Sequence, residues 1–245
     1  MSSNKSKKTK KKSHQKKIIH QIFFDMGKGK LKEIPQFYKC YLNNKEYCKK
    51  NNIQYKLWSR KQIEKLLDKP RNKQYKKLFY DFKYDIQRVD FGRYLVLWNY
   101  GGIYTDLDVC IMNKSINHLF QKEYFFVTWD DDINFKPYNA VIGTIKNNPL
   151  YEEILQHSKE SFYEKSKQEI YKKWKGRFVF QTTGHYMLLR VLKKNNLYNK
   201  KNILNIMKVY HSKTDRIIKG PNPLFEDSNA SLWFEGKDVS KKQHD

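Results

Sequence analysis

The run from residue 88 to residue 108 constrains the fold more than any other part of this 245-residue chain. It opens with charged residues set among apolar ones, as on a helix, and it reaches the pair Gly101-Gly102, where a glycine can take the left-handed conformation that ends helices. A strongly apolar segment follows and carries Asp106 and Asp108 one residue apart. If this segment is extended, both carboxylates leave the same face. The run therefore predicts a helix, a glycine stop and a buried strand with a carboxylate pair.

Along the rest of the chain, the spacing of apolar residues alternates between the period of a strand and that of a helix. This alternation is typical of an α/β domain with a mostly parallel central sheet flanked by helices. We expect one domain over residues 17–236, a disordered lysine-rich tail at 1–16 and a flexible tail at 237–245. The pattern predicts strands at 17–24, 53–58, 103–112, 123–129, 139–143 and 203–210, and helices at 35–50, 60–67, 75–99, 149–174 and 184–195.

The charge of the chain indicates anionic partners. It contains 50 Lys and Arg residues against 25 Asp and Glu residues, which gives a formal net charge of +25. Eight of the lysines fall within residues 1–17, a segment without an acidic residue. Such a like-charged block favours a disordered tail that makes nonspecific contacts with polyanions. The remaining sequence is apolar and aromatic enough to build a core, which excludes a wholly disordered protein.

The cysteines and the hydropathy bear on the compartment. Cys40, Cys48 and Cys110 are an odd number of thiols at spacings that match neither a metal site nor a disulfide framework, so we expect reduced cysteines. No apolar run approaches the ~20 residues of a membrane span, and no apolar segment follows the N-terminal lysines as it does in a secretory signal. We therefore expect a soluble cytoplasmic protein without a membrane span, of viral or bacterial origin.

The carboxylates of Asp106 and Asp108 need compensation, because burying unpaired charges costs several kcal/mol. A divalent cation is one solution, since Mn²⁺ and Mg²⁺ bind one or two carboxylates together with waters and phosphate oxygens. A basic partner is the other, and it is available one element earlier: Asp90 and Arg93 share a helix face at i, i+3, with Arg88 close by. The simplest interpretation of that pair is an intrahelical ion pair.

These residues form a specific pattern. The stretch Arg88-x-Asp-Phe-x-Arg-Tyr-Leu, continued by Tyr-Gly-Gly-Ile-Tyr-x-Asp-Leu-Asp-Val, resembles the sugar-binding region of glycosyltransferases that contain the Asp-x-Asp motif. That family includes initiating α-1,6-mannosyltransferases, and the clostridial glucosylating toxins are distant relatives. Further segments that resemble the family are the opening strand Lys17–Phe24, Pro137–Gly143 with Asn148-Pro149, Thr183-Gly184 and Ser231-x-Trp233. His185 stands where the family has proline, and we interpret it as structural.

The resemblance implies a GT-A fold, a nucleotide-sugar donor such as a GDP- or UDP-hexose, Mn²⁺ or Mg²⁺, and transfer with retention of configuration to a glycan or protein acceptor. It assigns catalytic roles to Asp106, Asp108, Asp90 and Arg93. In this assignment Asp108 binds the metal directly, and Asp106 binds it through water while contacting the ribose or the sugar. Asp90 and Arg93 hold hydroxyls of the transferred sugar.

The remaining donor contacts implied by the resemblance lie at both ends of the chain. Phe23 would stack on the base, Arg88 would contact the donor, and the Trp233 indole would bind a phosphate oxygen. Ser231 would reach the metal. Members of the family often have a histidine shortly before the Ser-x-Trp segment. Here the residues just before Ser231 are Asp227-Ser-Asn-Ala, so Asp227 or Asn229 would supply a further metal ligand.

Two other functions remain open from the sequence. The high positive charge and the lysine-rich tail also suit a nucleic-acid-binding protein on a decayed glycosyltransferase fold. Paired carboxylates also occur in metal-dependent nucleotidyltransferases, but this chain lacks the Gly-Ser expected ahead of such a pair and has no obvious third acid.

Overall fold

Two β-sheets and the helices around them make up the fold of the computed structural model, which describes residues 16–128, 137–169, 173–199, 201–211 and 216–228. The central sheet has the strand order β2-β1-β3-β6-β5-β7 and the second sheet the order β4-β10-β8-β9. The strands are β1 (Ile18–Phe23), β2 (Gln54–Ser59), β3 (Gly102–Thr105), β4 (Val109–Ile111), β5 (Tyr124–Val127), β6 (Tyr138–Thr144), β7 (Ile203–Leu204), β8 (Met207–His211), β9 (Arg216–Lys219) and β10 (Phe225–Asp227). The helices are α1 (Pro35–Lys50), α2 (Arg60–Leu67), α3 (Lys76–Asp81), α4 (Asp85–Tyr100), α5 (Pro149–Lys165), α6 (Lys175–Thr182) and α7 (His185–Lys194).

The predicted α/β organisation is confirmed, but the central sheet is mixed rather than mostly parallel. Strand β1 runs parallel to both β2 and β3, and β5 runs parallel to β7. Strand β6 lies between β3 and β5 and is antiparallel to both. The first half of the sheet therefore has the βαβ connection that the sequence predicts, and the second half does not.

Local signals set the bounds of the early elements. Helix α1 begins at Pro35, whose missing N–H costs nothing in the first turn of a helix. Helix α2 begins after Ser59, whose hydroxyl accepts a hydrogen bond from the backbone N–H of Gln62 while the Gln62 side chain accepts one from the Ser59 N–H. Both helices span the predicted residues, because each start signal is complete within four residues of sequence.

The predicted strand 103–112 is divided by a turn. Strand β3 ends at Thr105, and β4 starts at Val109 in the other sheet. The Val109 N–H donates to the Asp106 carbonyl at 3.1 Å, and the Asp106 N–H donates to the Ala140 carbonyl at 2.8 Å. The two carboxylates were expected on one extended strand. They lie instead on the turn that joins the two sheets.

Three other predicted elements are shorter or broken. The helix predicted at 75–99 is two helices, α3 and α4, because Phe82 takes an extended conformation with ψ of 131°. The helix predicted at 149–174 is α5 and ends at Lys165, and the strand predicted at 203–210 is the pair β7 and β8 in two different sheets.

The pair Gly101-Gly102 ends α4 as predicted and also brings the chain close to its neighbours. Gly101 has φ of 67° and Gly102 has φ of 96°. A Cβ on Gly102 would lie 2.5 Å from the carbonyl oxygen of Ile18 in β1, and one on Gly101 would lie 2.6 Å from the backbone nitrogen of Lys146. A side chain at Gly102 would separate β3 from β1, and one at Gly101 would push the chain away from the backbone at the end of β6.

Two apolar cores cover the two faces of the central sheet. Neighbouring residues of one strand point to opposite cores, as Ile103 and Tyr104 do in β3 and as Phe125 and Phe126 do in β5. Helix α4 belongs to the larger core and is buried on most of its circumference, which explains its apolar sequence. The other core lies between the central sheet and the second sheet. The described helices include none that is both long and apolar enough to cross a membrane.

The expectation of reduced cysteines is wrong for two of the three. Cys40 in α1 and Cys110 in β4 form a disulfide with their Cα atoms 4.6 Å apart, and Cys48 is a buried free thiol. The pairing joins residues 70 positions apart in sequence, which is why their spacing did not reveal it. Closing a loop of this length stabilises a fold by about 4 kcal/mol in the chain-entropy description. The bond fastens α1 to the strand that follows Asp108.

Candidate functional site

A cavity of about 680 Å³ opens at the carboxyl ends of β1 and β3. Ligands of open α/β sheets bind at this edge, and the volume is typical of small-molecule sites. Five of the residues singled out from the sequence line this cavity, namely Phe23, Asp90, Arg93, Asp106 and Asp108. The structure therefore brings together residues from β1, from α4 and from the turn after β3.

Arg93 links the two acidic residues at the centre of this wall. Its Nη2 lies 2.5 Å from Oδ1 of Asp90 and 3.2 Å from Oδ1 of Asp106, and its Nη1 donates to Oδ2 of Asp106 at 3.3 Å. Asp90 and Arg93 are almost fully buried, whereas the side chain of Asp106 is 26% exposed. The intrahelical pair expected from sequence is thus the inner part of a three-residue ion cluster.

Neutral side chains complete the hydrogen bonds of this cluster. Thr183 donates its hydroxyl to Oδ2 of Asp90 at 3.0 Å, and Tyr104 donates its hydroxyl to Oδ1 of Asp106 at 2.7 Å. Asn139 accepts the Arg93 Nη1–H at its backbone carbonyl at 2.6 Å and donates its side-chain amide to Asp90 at 3.4 Å. These contacts hold the charged groups in one geometry, because each carboxylate has directed partners besides Arg93.

One guanidinium serves two carboxylates, and their pKa values reflect this. Burial raises the pKa of Asp90 to about 6 although Arg93 acts to lower it, and the nearby Asp106 charge raises it further. Burial also raises the pKa of Asp106, against the effects of Arg93 and Tyr104. For Arg93, burial acts to lower the pKa, but the carboxylate of Asp106 and its neighbours hold it well above the usual value. Burial thus disfavours the charged form of both carboxylates, and the Arg93 guanidinium opposes that effect.

A second acidic group lies next to the first. Asp227 is buried at the end of β10, where it pairs with Val109 in the register of the second sheet, and it accepts the hydroxyl of Tyr138 at 2.6 Å. The N–H of Ser228 donates to the Asp108 carbonyl at 3.2 Å. Burial and the charges of Asp227 and Asp108 raise the pKa of Tyr138 well above its usual value. Asp108 and Asp227 thus lie on adjacent chain segments around one phenol.

The donor set around Asp108 fits a hard divalent cation. Asp108 and Asp227 offer carboxylate oxygens, and Mg²⁺ and Mn²⁺ are bound by one or two carboxylates with waters and phosphate oxygens. Asp106 has its oxygens hydrogen-bonded to Arg93 and Tyr104, which suits a contact through water better than direct ligation. Within the part of the chain that the structure describes, no three His, Cys, Asp or Glu side chains meet as a complete metal site.

Strand β1 supports the turn from behind. Gln21 donates its amide to the Asp106 carbonyl at 2.9 Å and accepts the hydroxyl of Tyr55 at 2.6 Å. His20 is fully buried, its Nε2 lies 2.9 Å from the carbonyl oxygen of Gly101, and its Nδ1 accepts the Trp58 indole N–H at 3.0 Å. Burial lowers the pKa of His20 to about 4, so the ring is neutral at physiological pH. His20 and Gln21 in the opening strand therefore position the backbone just before and just after β3.

The two ends of the cavity differ in character. One end is apolar and is formed by Phe23, Phe24, Ile34 and Phe37, from β1 and the start of α1. The other end is aromatic and basic, and it consists of Lys83, Tyr84, Lys175, Phe180, His185 and Tyr186. His185 packs against Phe180 and Tyr186 with ring centroids 4.5 Å and 4.3 Å away. His185 thus contributes to the wall of the cavity through ring packing.

Residues 5–126, half of the chain, match the family described as the glycosyltransferase sugar-binding region containing the DXD motif. The chain belongs to this glycosyltransferase family. The motif of this member is Asp106-Leu107-Asp108 on the turn between β3 and β4. The resemblance inferred from sequence is confirmed for the family.

Related proteins of this glycosyltransferase family support the match. The chain is 30% identical to an uncharacterized glycosyltransferase of Acanthamoeba polyphaga mimivirus over 143 residues, which cover 57% of this chain and 54% of that protein. It is 27% identical to inositol phosphoceramide mannosyltransferase 1 of Schizosaccharomyces pombe over 145 residues, 58% of this chain and 43% of that protein. The matched segments thus span about half the length of these relatives.

A solved structure has a similar fold. The PaToxG glycosyltransferase superposes with a TM-score of 0.51 over 74% of this chain and 70% of that chain, at 16% sequence identity. The likeness at this identity concerns the fold, an α/β arrangement of mixed sheets flanked by helices, and it agrees with a GT-A-like architecture.

The site residues predicted from sequence fall into three groups. Phe23, Asp90, Arg93, Asp106 and Asp108 line the cavity, and Asp227 lies beside it. Ser231, Trp233 and Asn229 lie outside the described residues, as do most of the two predicted tails.

Arg88, the remaining predicted donor contact, is not among the residues that line the cavity. Its guanidinium donates to the backbone carbonyls of Phe79, Tyr80 and Phe82 and pairs with Asp85 at 2.9 Å, so it closes the end of α3. These contacts fix the break between α3 and α4.

Sequence reasoning missed the neutral residues that hold the cluster. Tyr104, Tyr138, Asn139 and Thr183 each bind one of the acidic side chains. Their only sequence signal was membership in the segments that resemble the family. Those segments lie far apart in the chain, but in the fold each of them supplies a hydrogen bond to an acidic side chain of the site.

Proposed function

We propose that this protein transfers a hexose from a nucleotide-sugar donor to a glycan or protein acceptor, with Mn²⁺ or Mg²⁺ and with retention of configuration. The observation that carries the proposal is the cluster of Asp90, Arg93 and Asp106 on the wall of the cavity, one residue away from Asp108. Family membership supports the reaction class.

The cavity suits a donor with an apolar base end and a polar sugar end. Phe23 and its apolar neighbours can receive the base by stacking. Asp90 and Arg93 can hold sugar hydroxyls, because carboxylate oxygens accept hydrogen bonds from hydroxyls and guanidinium N–H groups donate to them. The Nε of Arg93 is buried and has no acceptor among the described residues, so the guanidinium has a donor left over. In this arrangement Asp106 contacts the ribose or the sugar.

Asp108 and Asp227 are the residues that would hold the cation, with Ser231 as a further oxygen ligand. Bound there, a divalent cation supplies Lewis-acid stabilisation of the leaving diphosphate, worth several kcal/mol. The protein itself contributes the placement of the carboxylates, which the disulfide between Cys40 and Cys110 and the register of β4 with β10 keep in position. In this proposal the Trp233 indole N–H binds a phosphate oxygen.

Given the proposed retention, the carboxylates of the cavity favour front-face transfer over double displacement. A double-displacement mechanism needs a carboxylate free to attack the anomeric carbon. Asp85, Asp90 and Asp106 are each bound to an arginine side chain. Asp108 is assigned to the cation. We therefore propose that the acceptor hydroxyl attacks from the side of the departing phosphate, which holds the acceptor and accepts its proton.

A nucleic-acid-binding protein on a decayed enzyme fold has less support. Decay would leave the acidic residues of the cavity unpaired or replaced, since keeping buried charges together costs free energy. Here Asp90, Arg93 and Asp106 remain paired with one another and keep hydrogen bonds to Thr183, Asn139 and Tyr104. The nucleotidyltransferase alternative is excluded by the family to which the chain belongs.

A thermal-shift panel tests the proposal. The protein is melted with GDP-mannose, UDP-glucose, UDP-galactose and UDP-N-acetylglucosamine, each with and without Mn²⁺. One donor at a hundredfold its Kd should stabilise the fold by about 2.7 kcal/mol, a rise in Tm of roughly 5–10 °C that depends on Mn²⁺. The free nucleoside with Mn²⁺ serves as the control and should give a much smaller shift. No Mn²⁺-dependent shift with any donor would contradict the proposal.

A further inference from the structure

A second concave site lies away from the cavity, and we call it the amino-end groove. Its volume is about 380 Å³. Strand β2, helix α2 and the last residue of α4 form its walls. Its lining includes four lysines and two aromatic residues, namely Lys16, Lys56, Lys65, Lys69, Trp58 and Tyr100.

The groove opens at the edge of the central sheet opposite to the cavity. Its lining includes Ile18, the first residue of β1, whereas the cavity includes Phe23, the last residue of the same strand. Five residues of extended chain separate these positions by ~17 Å. The groove reaches along β2 as far as Trp58, which pairs with Ile22 of the cavity, but the two sites share no lining residue.

The charges of the groove have one sign. Four lysines line it, and no Asp or Glu does so in the described part of the chain. Lys16 is one of the four, and it directly follows residues 1–15, which contain six more lysines and no acid. The groove lysine Lys16 is thus the next residue in sequence after a lysine-rich segment.

Aromatic rings form the floor between these lysines. The rings of Trp58 and Tyr100 lie 5.3 Å apart, and the ammonium of Lys56 lies 5.1 Å from the Trp58 ring centre. Lys69 lies 5.2 Å from the ring centre of Tyr100 and donates to its hydroxyl at 3.2 Å. Trp58 is buried, whereas Tyr100 is 37% exposed. An aromatic surface is thus open to solvent between fixed positive charges.

We propose that the amino-end groove binds single-stranded nucleic acid, with phosphates at the lysines and a base stacked on Tyr100. A basic track with interleaved aromatic rings is the common solution for binding single strands without sequence preference. An anionic membrane fits less well, because membrane binding needs apolar side chains that protrude into the lipid. Here the apolar groups of Trp58, Ile18 and Leu66 lie at the base of a concave surface.

Binding of a fluorescent oligo(dT) of about 20 nucleotides to the full chain, followed by anisotropy over a range of salt concentrations, tests this site. The variant K56Q/K65Q/K69Q removes three groove lysines, and K39Q/K45Q/K49Q removes three exposed lysines of α1 as a matched control. With about 0.7 ions released per phosphate contact, the groove variant should reduce the slope of log K against log salt by about 2. The control should change it by less than half as much. The N-terminal lysines are present in both variants, so their contribution cancels.

A substitution of Tyr100 separates stacking from general attraction. Tyr100→Ala should weaken oligo(dT) binding at least fivefold at constant salt, while Tyr100→Phe should keep it, since the ring is retained. Circular dichroism confirms the fold of each variant. Equal slopes for the two lysine variants, or an unchanged affinity of Tyr100→Ala, would overturn the proposal. Binding to phosphatidylserine vesicles that depends on the groove lysines, without oligo(dT) binding, would assign the groove to a membrane instead.

Discussion

The cavity and the amino-end groove lie at opposite ends of β1 and use charge in opposite ways. In the cavity, Asp90 and Arg93 are buried, pair with each other and have further directed hydrogen-bond partners. In the groove, Lys65 and Lys69 are exposed and form no comparable network. Buried charges give a fixed geometry but cost desolvation, whereas exposed charges give attraction at almost no cost in stability. The comparison indicates that chemistry requires the first arrangement and polyanion binding only the second.

The largest effect expected from this difference is on stability. Arg93→Met should lower the free energy of unfolding by about 3–5 kcal/mol, because it leaves the carboxylates of Asp90 and Asp106 buried without their cation. Denaturant unfolding measures the change. Arg177→Met removes an exposed arginine of α6 and serves as the matched control, with an expected change below about 0.5 kcal/mol. Similar losses in both variants would show that the cluster is not held as described.

The buried position of Asp90 should also make the stability of the folded protein depend on pH. The pKa of Asp90 is raised from 3.8 to about 6 in the folded protein. Its contribution to stability is therefore fully present below pH 3.8 and is lost as the pH rises through 6. The stability of the wild type relative to Asp90→Asn should fall over this interval by up to about 3 kcal/mol. Urea unfolding at several pH values measures it, and a constant difference between pH 4 and pH 7 would contradict the buried position of the charge.

The smallest effect belongs to the groove. Lys65→Gln and Lys69→Gln should each change the free energy of unfolding by less than about 0.5 kcal/mol, since exposed side chains away from a network contribute little. Denaturant unfolding under the conditions used for Arg93→Met makes the two regions directly comparable. A loss of more than 1 kcal/mol would mean that the groove lysines are part of the stabilising structure, and the contrast drawn above would be wrong.

Sequence predicted the parts of the fold whose signals are local. The start of α1 at Pro35, the capping of α2 by Ser59 and the end of α4 at Gly101 each depend on a few adjacent residues. The turn after Thr105 was not predictable, because the apolar pattern continues through it into β4. Its cause is the second sheet, which takes up β4 by pairing it with β10, more than 100 residues later.

The candidate site shows the same limit. Asp90, Arg93, Asp106 and Asp108 were found because a compact motif contains them. Thr183 and Asn139 bind Asp90 from 93 and 49 residues away, and Cys110 pairs with Cys40 across 70 residues. Such contacts arise from the packing of distant elements and leave no periodic signal in the chain. Arg88 belongs to the same motif, but its side chain is bonded to the Phe79 carbonyl of α3, a contact that the motif did not predict.

We propose that the cavity around Asp108 binds and cleaves a nucleotide sugar. The most direct test measures hydrolysis of the donor selected by thermal shift, with Mn²⁺, for the wild type and for Asp108→Asn, with Asp68→Asn as an exposed control. Losing several kcal/mol of stabilisation should lower the rate of Asp108→Asn at least 100-fold, with circular dichroism and the rate of Asp68→Asn unchanged. If Asp108→Asn hydrolyses the donor at the wild-type rate, Asp108 does not take part in the reaction and the proposed role of the cavity is wrong.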